Sequence, residues 1–185
     1  MSSLLILSVI WLFSEIALSR LLRAPKSHNN LDKSSLKILW TTISLSITIG
    51  VLVSNTANTS ITDYLSVINL TGVSLIALGL IIRWFAILTL KKSFTVNVSV
   101  SDDQILVQSG LYKYIRHPSY LGSLMSFLGL GITFNNWISL FVIFVPICFS
   151  FLYRIKIEED VLGQAFGNKY SNYVKKSWKL IPKVF

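Results

Sequence analysis

Two short stretches hold most of the residues in this chain that could do chemistry. The first runs from Gln104 to Gly122, Q-I-L-V-Q-S-G-L-Y-K-Y-I-R-H-P-S-Y-L-G, where polar, aromatic and helix-breaking residues crowd between two strongly apolar regions. The second, R-I-K-I-E-E-D from Arg154 to Asp160, follows one apolar hairpin later. His117-Pro118 disfavours helix at residue 117 and starts one at Pro118. The first backbone N–H groups of that helix lack intrahelical partners and suit a polar ligand group. Arg154 and Glu158 are four residues apart and so share one helical face. Taken singly, these features have ordinary readings: a surface salt bridge for Arg154 and Glu158, an interfacial aromatic belt for Tyr170 and Tyr173. An active site built from this chain would join the two clusters. The single cysteine, Cys148, lies in an apolar run and excludes an intrachain disulfide. Two histidines, His28 and His117, leave no Cys/His metal cluster, so no metal is expected.

The elements that position these clusters are apolar. Of the 185 residues, 52% are hydrophobic and 14% charged, against about 25% charged in soluble domains. The mean hydropathy is +0.63. The apolar residues fall in long runs, which makes the chain an integral membrane protein of one compact domain. Five segments are expected: Ser3 to Leu22, Leu36 to Ser54, Val67 to Leu90, Pro118 to Phe134 and Trp137 to Tyr153. The last two, separated only by Asn135-Asn136, predict a tight antiparallel hairpin. Gly122, Gly129 and Gly131 are expected to let the hairpin partner approach, and Pro146 to kink the returning helix. The first run lacks a positive stretch before it and reads as a retained membrane helix.

The formal net charge is +9. In a soluble protein that would suggest nucleic acid; here the basic residues flank apolar runs and read as an orientation signal. Sixteen of the 17 Lys and Arg lie in the first connection, the third connection and the tail, with their flanks. The second connection, Asn55 to Ser66, and the hairpin tip have none. The positive-inside bias predicts N-terminus out and C-terminus in, with five spans. The exception, Arg83, lies inside the third segment, on one helical face with Gly72, Ile76 and Gly79. Glu15, the acidic residue inside the first segment, is its expected ion-pair partner, holding the first and third helices together. Lining a ligand cavity or snorkelling to the interface are the alternatives. Phe94 to Val100 alternates apolar and polar residues and predicts a short extended stretch. Beyond Tyr153 a polar helix is expected, ending near Phe166-Gly167.

The order L-V-x-x-G-x-Y-x-x-x-R-H-P-x-Y-x-G, an apolar hairpin, R-x-x-x-E-E and F-G-x-x-Y-x-x-Y resembles the isoprenylcysteine carboxyl methyltransferase family, a group that also takes in membrane phospholipid N-methyltransferases. The local match covers Leu90 to Pro182. The resemblance implies an all-α polytopic membrane protein with about five transmembrane helices. Residues 1–90 would form three N-terminal spans, and residues 91–185 a cytoplasmic-side cofactor-binding and catalytic region that includes the helical hairpin. It implies methyl transfer from S-adenosylmethionine to the carboxylate of a lipid-like or prenylated acceptor reached through the bilayer. Cofactor contacts carry over by motif onto Asn97, Gln104, Ile105, Leu106, Val107, Tyr112, His117, Pro118, Ser119, Tyr120 and Glu158. Arg154 becomes the substrate-binding arginine, and Arg154 with Glu158 the catalytic pair. The family often has histidine where this chain has Gln104, which can hydrogen-bond but carries no charge.

A carboxylate acceptor is ionised at neutral pH and needs no strong base; positioning and desolvation would supply the rate. Two other readings remain. Amine methylation of a phospholipid would need a base, for which His117 or Glu159 could serve. A non-catalytic membrane protein could keep the fold for lipid or partner binding.

Overall fold

The computed structural model describes residues 11, 13–14, 34–54, 59–90 and 105–183. Among these the secondary structure is helical, with two isolated bridges. Helix α1 is Ser35–Ser54 and α2 is Leu65–Leu90. A 3₁₀ turn at Gly110–Lys113 leads to α3, Pro118–Thr133. Helix α4, Trp137–Phe166, is followed by the short α5, Asn168–Val174. Helices α1, α2 and α4 are long and apolar enough to cross a membrane. At 1.5 Å per residue they reach about 30, 39 and 45 Å, whereas α3 reaches about 24 Å. Four of the five expected segments are thus helices within two residues of the expected starts. Most of the first segment lies outside the described residues. Its Trp11 is helical and buried, with its ring 4.7 Å from that of Phe127 on α3.

Small and polar residues are buried beside an apolar core that includes Ile76, Ile143, Ile147 and Phe151, while many large apolar residues face outward. Leu45, Leu52, Leu70, Ile81, Leu88 and Phe149 are exposed, whereas Ser46, Ser126 and Ser139 are buried. Between helices that face acyl chains, close backbone approach replaces the hydrophobic effect as the driving force. Helix α2 lies along α3 in the most extensive interface among the described elements. A Cβ at Gly122 would stand 2.5 Å from the Gly79 carbonyl oxygen, and one at Gly129 2.6 Å from that of Gly72. The face shared by Gly72, Ile76, Gly79 and Arg83 is therefore the α3-binding face. This corrects one expectation: Gly122 and Gly129 admit α2, and only Gly131 meets the hairpin partner, at Leu140. Helical spacing shows which residues share a face but not which neighbour that face meets. Helix α4 runs through Pro146 as one element and, at its other side, packs along α1.

The hairpin tip is locked to the loop that precedes α2. Asn135 takes a positive φ of 49°, and its side chain accepts from the Thr62 N–H at 3.1 Å and donates to the Thr62 carbonyl at 2.8 Å. Asn136 caps α4 by accepting from Ser139 N–H. The two connections that lack Lys and Arg thus meet at one end of the bundle. At the other end the tail returns to the Arg-His-Pro segment through a parallel bridge between Ile115 and Trp178. Arg116 N–H donates to the Trp178 carbonyl at 2.8 Å, and His117 N–H to that of Lys179 at 3.2 Å. Leu180 then enters the core.

Candidate active site at the basic end of the bundle

The start of α3 and the polar end of α4 meet where the sequence clusters predict. Pro118 occupies the first turn of α3, fully buried. The fixed φ of proline and its missing N–H suit that position. His117 precedes it, also buried. Its ring stacks on that of Tyr120 with centroids 5.6 Å apart and planes 7° apart. Arg154, 3% exposed, closes the group from α4. Its Nε donates to the Tyr120 hydroxyl at 3.1 Å, and a terminal nitrogen donates to Ser35 Oγ of α1 at 2.8 Å. The surface-salt-bridge reading of Arg154 is therefore wrong: the helix carries it inward, where two hydroxyls fix the plane of its guanidinium.

The two adjacent glutamates of α4 have different surroundings. Glu159 is gripped by Arg116 Nε at 2.8 Å and by Lys179 Nζ at 3.1 Å, and lies 3.3 Å from His117 Nε2. Arg116 also donates to the Ser177 carbonyl at 2.5 Å, so Glu159 joins α4, the segment before α3 and the tail. Glu158 faces the Tyr120 hydroxyl, and its Oε2 lies 3.8 Å from His117 Nδ1, beyond hydrogen-bond range. That Oε2 is buried and accepts no hydrogen bond among the described residues. A buried carboxylate oxygen of this kind is an acceptor suited to a cationic donor.

Three tyrosines, Tyr112, Tyr170 and Tyr173, are buried nearby. Tyr112 is buried close enough to Glu158 for its charge to act on the phenol, and its carbonyl accepts from the Tyr173 hydroxyl at 2.6 Å. Burial, and then the Glu158 carboxylate, push the Tyr112 phenol far above its ordinary range. Burial and the two glutamates do the same to Tyr170. Burial pushes Tyr173 up to about 12, with Arg116 opposing. All three stay neutral at physiological pH and can donate.

Tyr112, His117, Pro118, Tyr120, Arg154 and Glu158 thus converge. Ser119 is buried on the other side of α3, accepting from Arg83 at 3.1 Å; Ser123 also accepts from Arg83, at 2.8 Å. Those serines are partners of Arg83 that helical spacing did not single out, and Glu15 lies outside the described residues. Ile105 is 74% exposed, with Leu106 and Val107 half-buried. Asn97 and Gln104 lie outside the described residues, as does the expected extended stretch Phe94 to Val100. Ser35, Arg116 and Lys179 were not expected as participants. Arg116 stood inside the R-H-P motif, but Ser177, the tail residue that accepts from its side chain, is 61 positions away, a distance no local pattern spans.

Residues 70–164 match the model of the isoprenylcysteine carboxyl methyltransferase (ICMT) family. A protein-S-isoprenylcysteine O-methyltransferase of Dictyostelium discoideum is 36% identical over 115 residues, 61% of this chain and 48% of that protein. Protein-S-isoprenylcysteine O-methyltransferase B of Arabidopsis thaliana is also 36% identical over 115 residues, 58% of its length. The chain spans about half the length of such curated relatives. A solved structure, described as the eukaryotic intramembrane Ras methyltransferase ICMT, superposes with a TM-score of 0.62 at 26% identity, over 82% of this chain and 53% of that one.

Proposed function

We propose that this chain, which belongs to the isoprenylcysteine carboxyl methyltransferase family, transfers a methyl group from S-adenosylmethionine to the carboxylate of a lipid-like, isoprenylcysteine-type acceptor at the cytoplasmic face of a membrane. The observation that carries the reading is Glu158 Oε2, buried at the meeting point of the two motifs with no hydrogen bond from a described residue. It suits the cationic amino group of that cofactor. Tyr112, His117, Pro118 and Tyr120 would surround the bound molecule, with Leu106 and Val107 at its edge. When bound, S-adenosylmethionine supplies an electrophilic methyl group on a sulfonium centre.

The chain's own residues do the positioning. Arg154 is a planar fork that suits a carboxylate, and Tyr120 and Ser35 hold that plane. The acceptor carboxylate is already ionised, so the residues need to orient it and keep water away. Burial of Arg154 and His117 serves both ends. An amine acceptor would require a base, but Glu159 is committed to Arg116 and Lys179, and the buried His117 is held between Glu159 and the Tyr120 ring. A cationic headgroup would also be repelled by Arg154. Oxygen methylation is therefore the better reading, and the acceptor's apolar tail would approach between helices whose outer faces are apolar.

Methyl-labelled cofactor and an S-prenylated, N-acetylated cysteine, given to the purified chain in detergent, test this. The label should enter a product that releases volatile methanol on mild base treatment. Base-stable label in a phospholipid would replace the ester with an amine. Absence of cofactor binding would remove both enzymatic readings.

A further inference from the structure

Tyr170 is a motif residue left without a task in that scheme. It stands in the F-G-x-x-Y-x-x-Y stretch, on α5, and is 5% exposed. Its ring lies against Gly163 of α4, where a Cβ would meet Tyr170 Cδ1 at 4.0 Å. Buried tyrosines bring the hydroxyl to a partner, as Tyr173 does with the Tyr112 carbonyl. The Tyr170 hydroxyl is buried and makes no hydrogen bond among the described residues. It is close enough to Glu158, Glu159 and Arg116 for their charges to act on it. Glu158 Oε2 and the Tyr170 hydroxyl are thus two buried oxygens with no hydrogen bond from a described residue, near enough for the Glu158 charge to act on the phenol. One is an anionic acceptor and the other a neutral donor. Together they match a zwitterionic amino-acid end, with its ammonium at the carboxylate and its own carboxylate at the phenol. Arg116 offsets part of the negative potential that Glu159 and Glu158 set up at the phenol.

We infer that Tyr170 is a further cofactor-binding residue, its hydroxyl donating to the carboxylate at the amino-acid end of the methyl donor while Glu158 takes the ammonium group. The inference rests on the S-adenosylmethionine reading above. The test is calorimetric binding to the full chain in detergent, using S-adenosylhomocysteine and its decarboxylated counterpart. Tyr170→Phe should weaken S-adenosylhomocysteine about tenfold or more, as expected for a hydrogen bond to a charged group. It should leave affinity for the decarboxylated compound at the wild-type value. The melting temperature without ligand should stay or rise, since an unpaired hydroxyl is being removed. Unchanged S-adenosylhomocysteine affinity overturns the inference, whatever the melting temperature, and so do equal losses for both ligands. Wild-type protein that binds neither ligand overturns the cofactor reading itself. If the phenylalanine variant does not fold, 3-fluorotyrosine at position 170 decides. Its ¹⁹F resonance should shift with S-adenosylhomocysteine and not with the decarboxylated compound, and identical shifts overturn the assignment.

Discussion

Glu158→Gln and Glu159→Gln alter neighbouring residues of one helix and should fail in different ways. Glu159 is 18% exposed, and its partners Arg116 and Lys179 are 8% and 28% exposed. Glutamine at 159 leaves Arg116 buried without its counter-charge. Removing one partner of a buried pair costs about 3–5 kcal/mol, while the more exposed Lys179 arm adds at most about 1 kcal/mol. Taking about 3 kcal/mol, the melting temperature should fall by about 6–12 °C for a chain of this size. Glu158 differs because Oε2 accepts no hydrogen bond from a described residue, and glutamine keeps an oxygen for Tyr120. Its stability should change by less than about 1 kcal/mol. Its affinity for S-adenosylhomocysteine should drop about tenfold or more, the weight of a charge-assisted contact. Thermal unfolding and calorimetric titration of both variants in one detergent read the two quantities separately. Equal melting shifts, or equal affinity losses at equal stability, would refute the division between a ligand-facing and a fold-holding glutamate.

Arg154→Ala should bind S-adenosylhomocysteine within about threefold of wild type yet lose turnover with a carboxylate acceptor, since the loss of one charge-assisted contact to substrate alone is about 1.5–3 kcal/mol; single-turnover kinetics and titration check this. Gly79→Ala places a methyl 2.8 Å from Ser126 N and against the Gly122 carbonyl, so overpacking by about 1–3 kcal/mol should lower the melting temperature. Gly163→Ala, whose nearest atom is 4.0 Å away, should not lower it. Tyr173 is neutral in the fold with its phenol pushed up to about 12 by burial, against about 10 unfolded. Its contribution is complete below pH 10 and disappears as pH rises through 12. Alkaline melting curves should show that loss, reduced in Tyr173→Phe. A cysteine placed at Asn58 should react with impermeant reagent outside intact cells and a C-terminal reporter should not; the reverse pattern would overturn the proposed orientation.

Much of the helical layout was legible because apolar runs and their breakers are local signals. Asn135-Asn136 marks the hairpin, and both asparagines do the work of a turn: one takes a left-handed φ and the other caps the next helix. Pro118 marks a helix start for an equally local reason. The neighbours of those helices were less legible. Gly122 was expected to face the returning helix, yet it faces Gly79 on α2. A helix in a bundle has several faces, and glycine says only that something comes close.

The same limit explains why the site was half legible. Arg154 and Glu158 are one turn apart, and that spacing alone supports a surface pair. What changes their meaning is the third dimension: α3 brings Tyr120 to Arg154, α1 brings Ser35, and the tail brings Lys179 to Glu159. Glu158 and Glu159 are alike as sequence, and a helix points consecutive side chains about 100° apart. One therefore meets the tail and its cations, and the other turns toward the layer of buried hydroxyls. The Arg116–Glu159–Lys179 cluster supports that arrangement from behind, because it joins the segment entering α3 to the helix that carries Arg154. A loosened tail would displace His117 and Glu158 together. Truncation after Lys176, which removes the Ser177 and Lys179 contacts to Arg116 and Glu159, should therefore lower S-adenosylhomocysteine affinity even though no residue facing the ligand is changed. Wild-type affinity in a truncated protein of wild-type stability would mean that the helices hold the site without the tail.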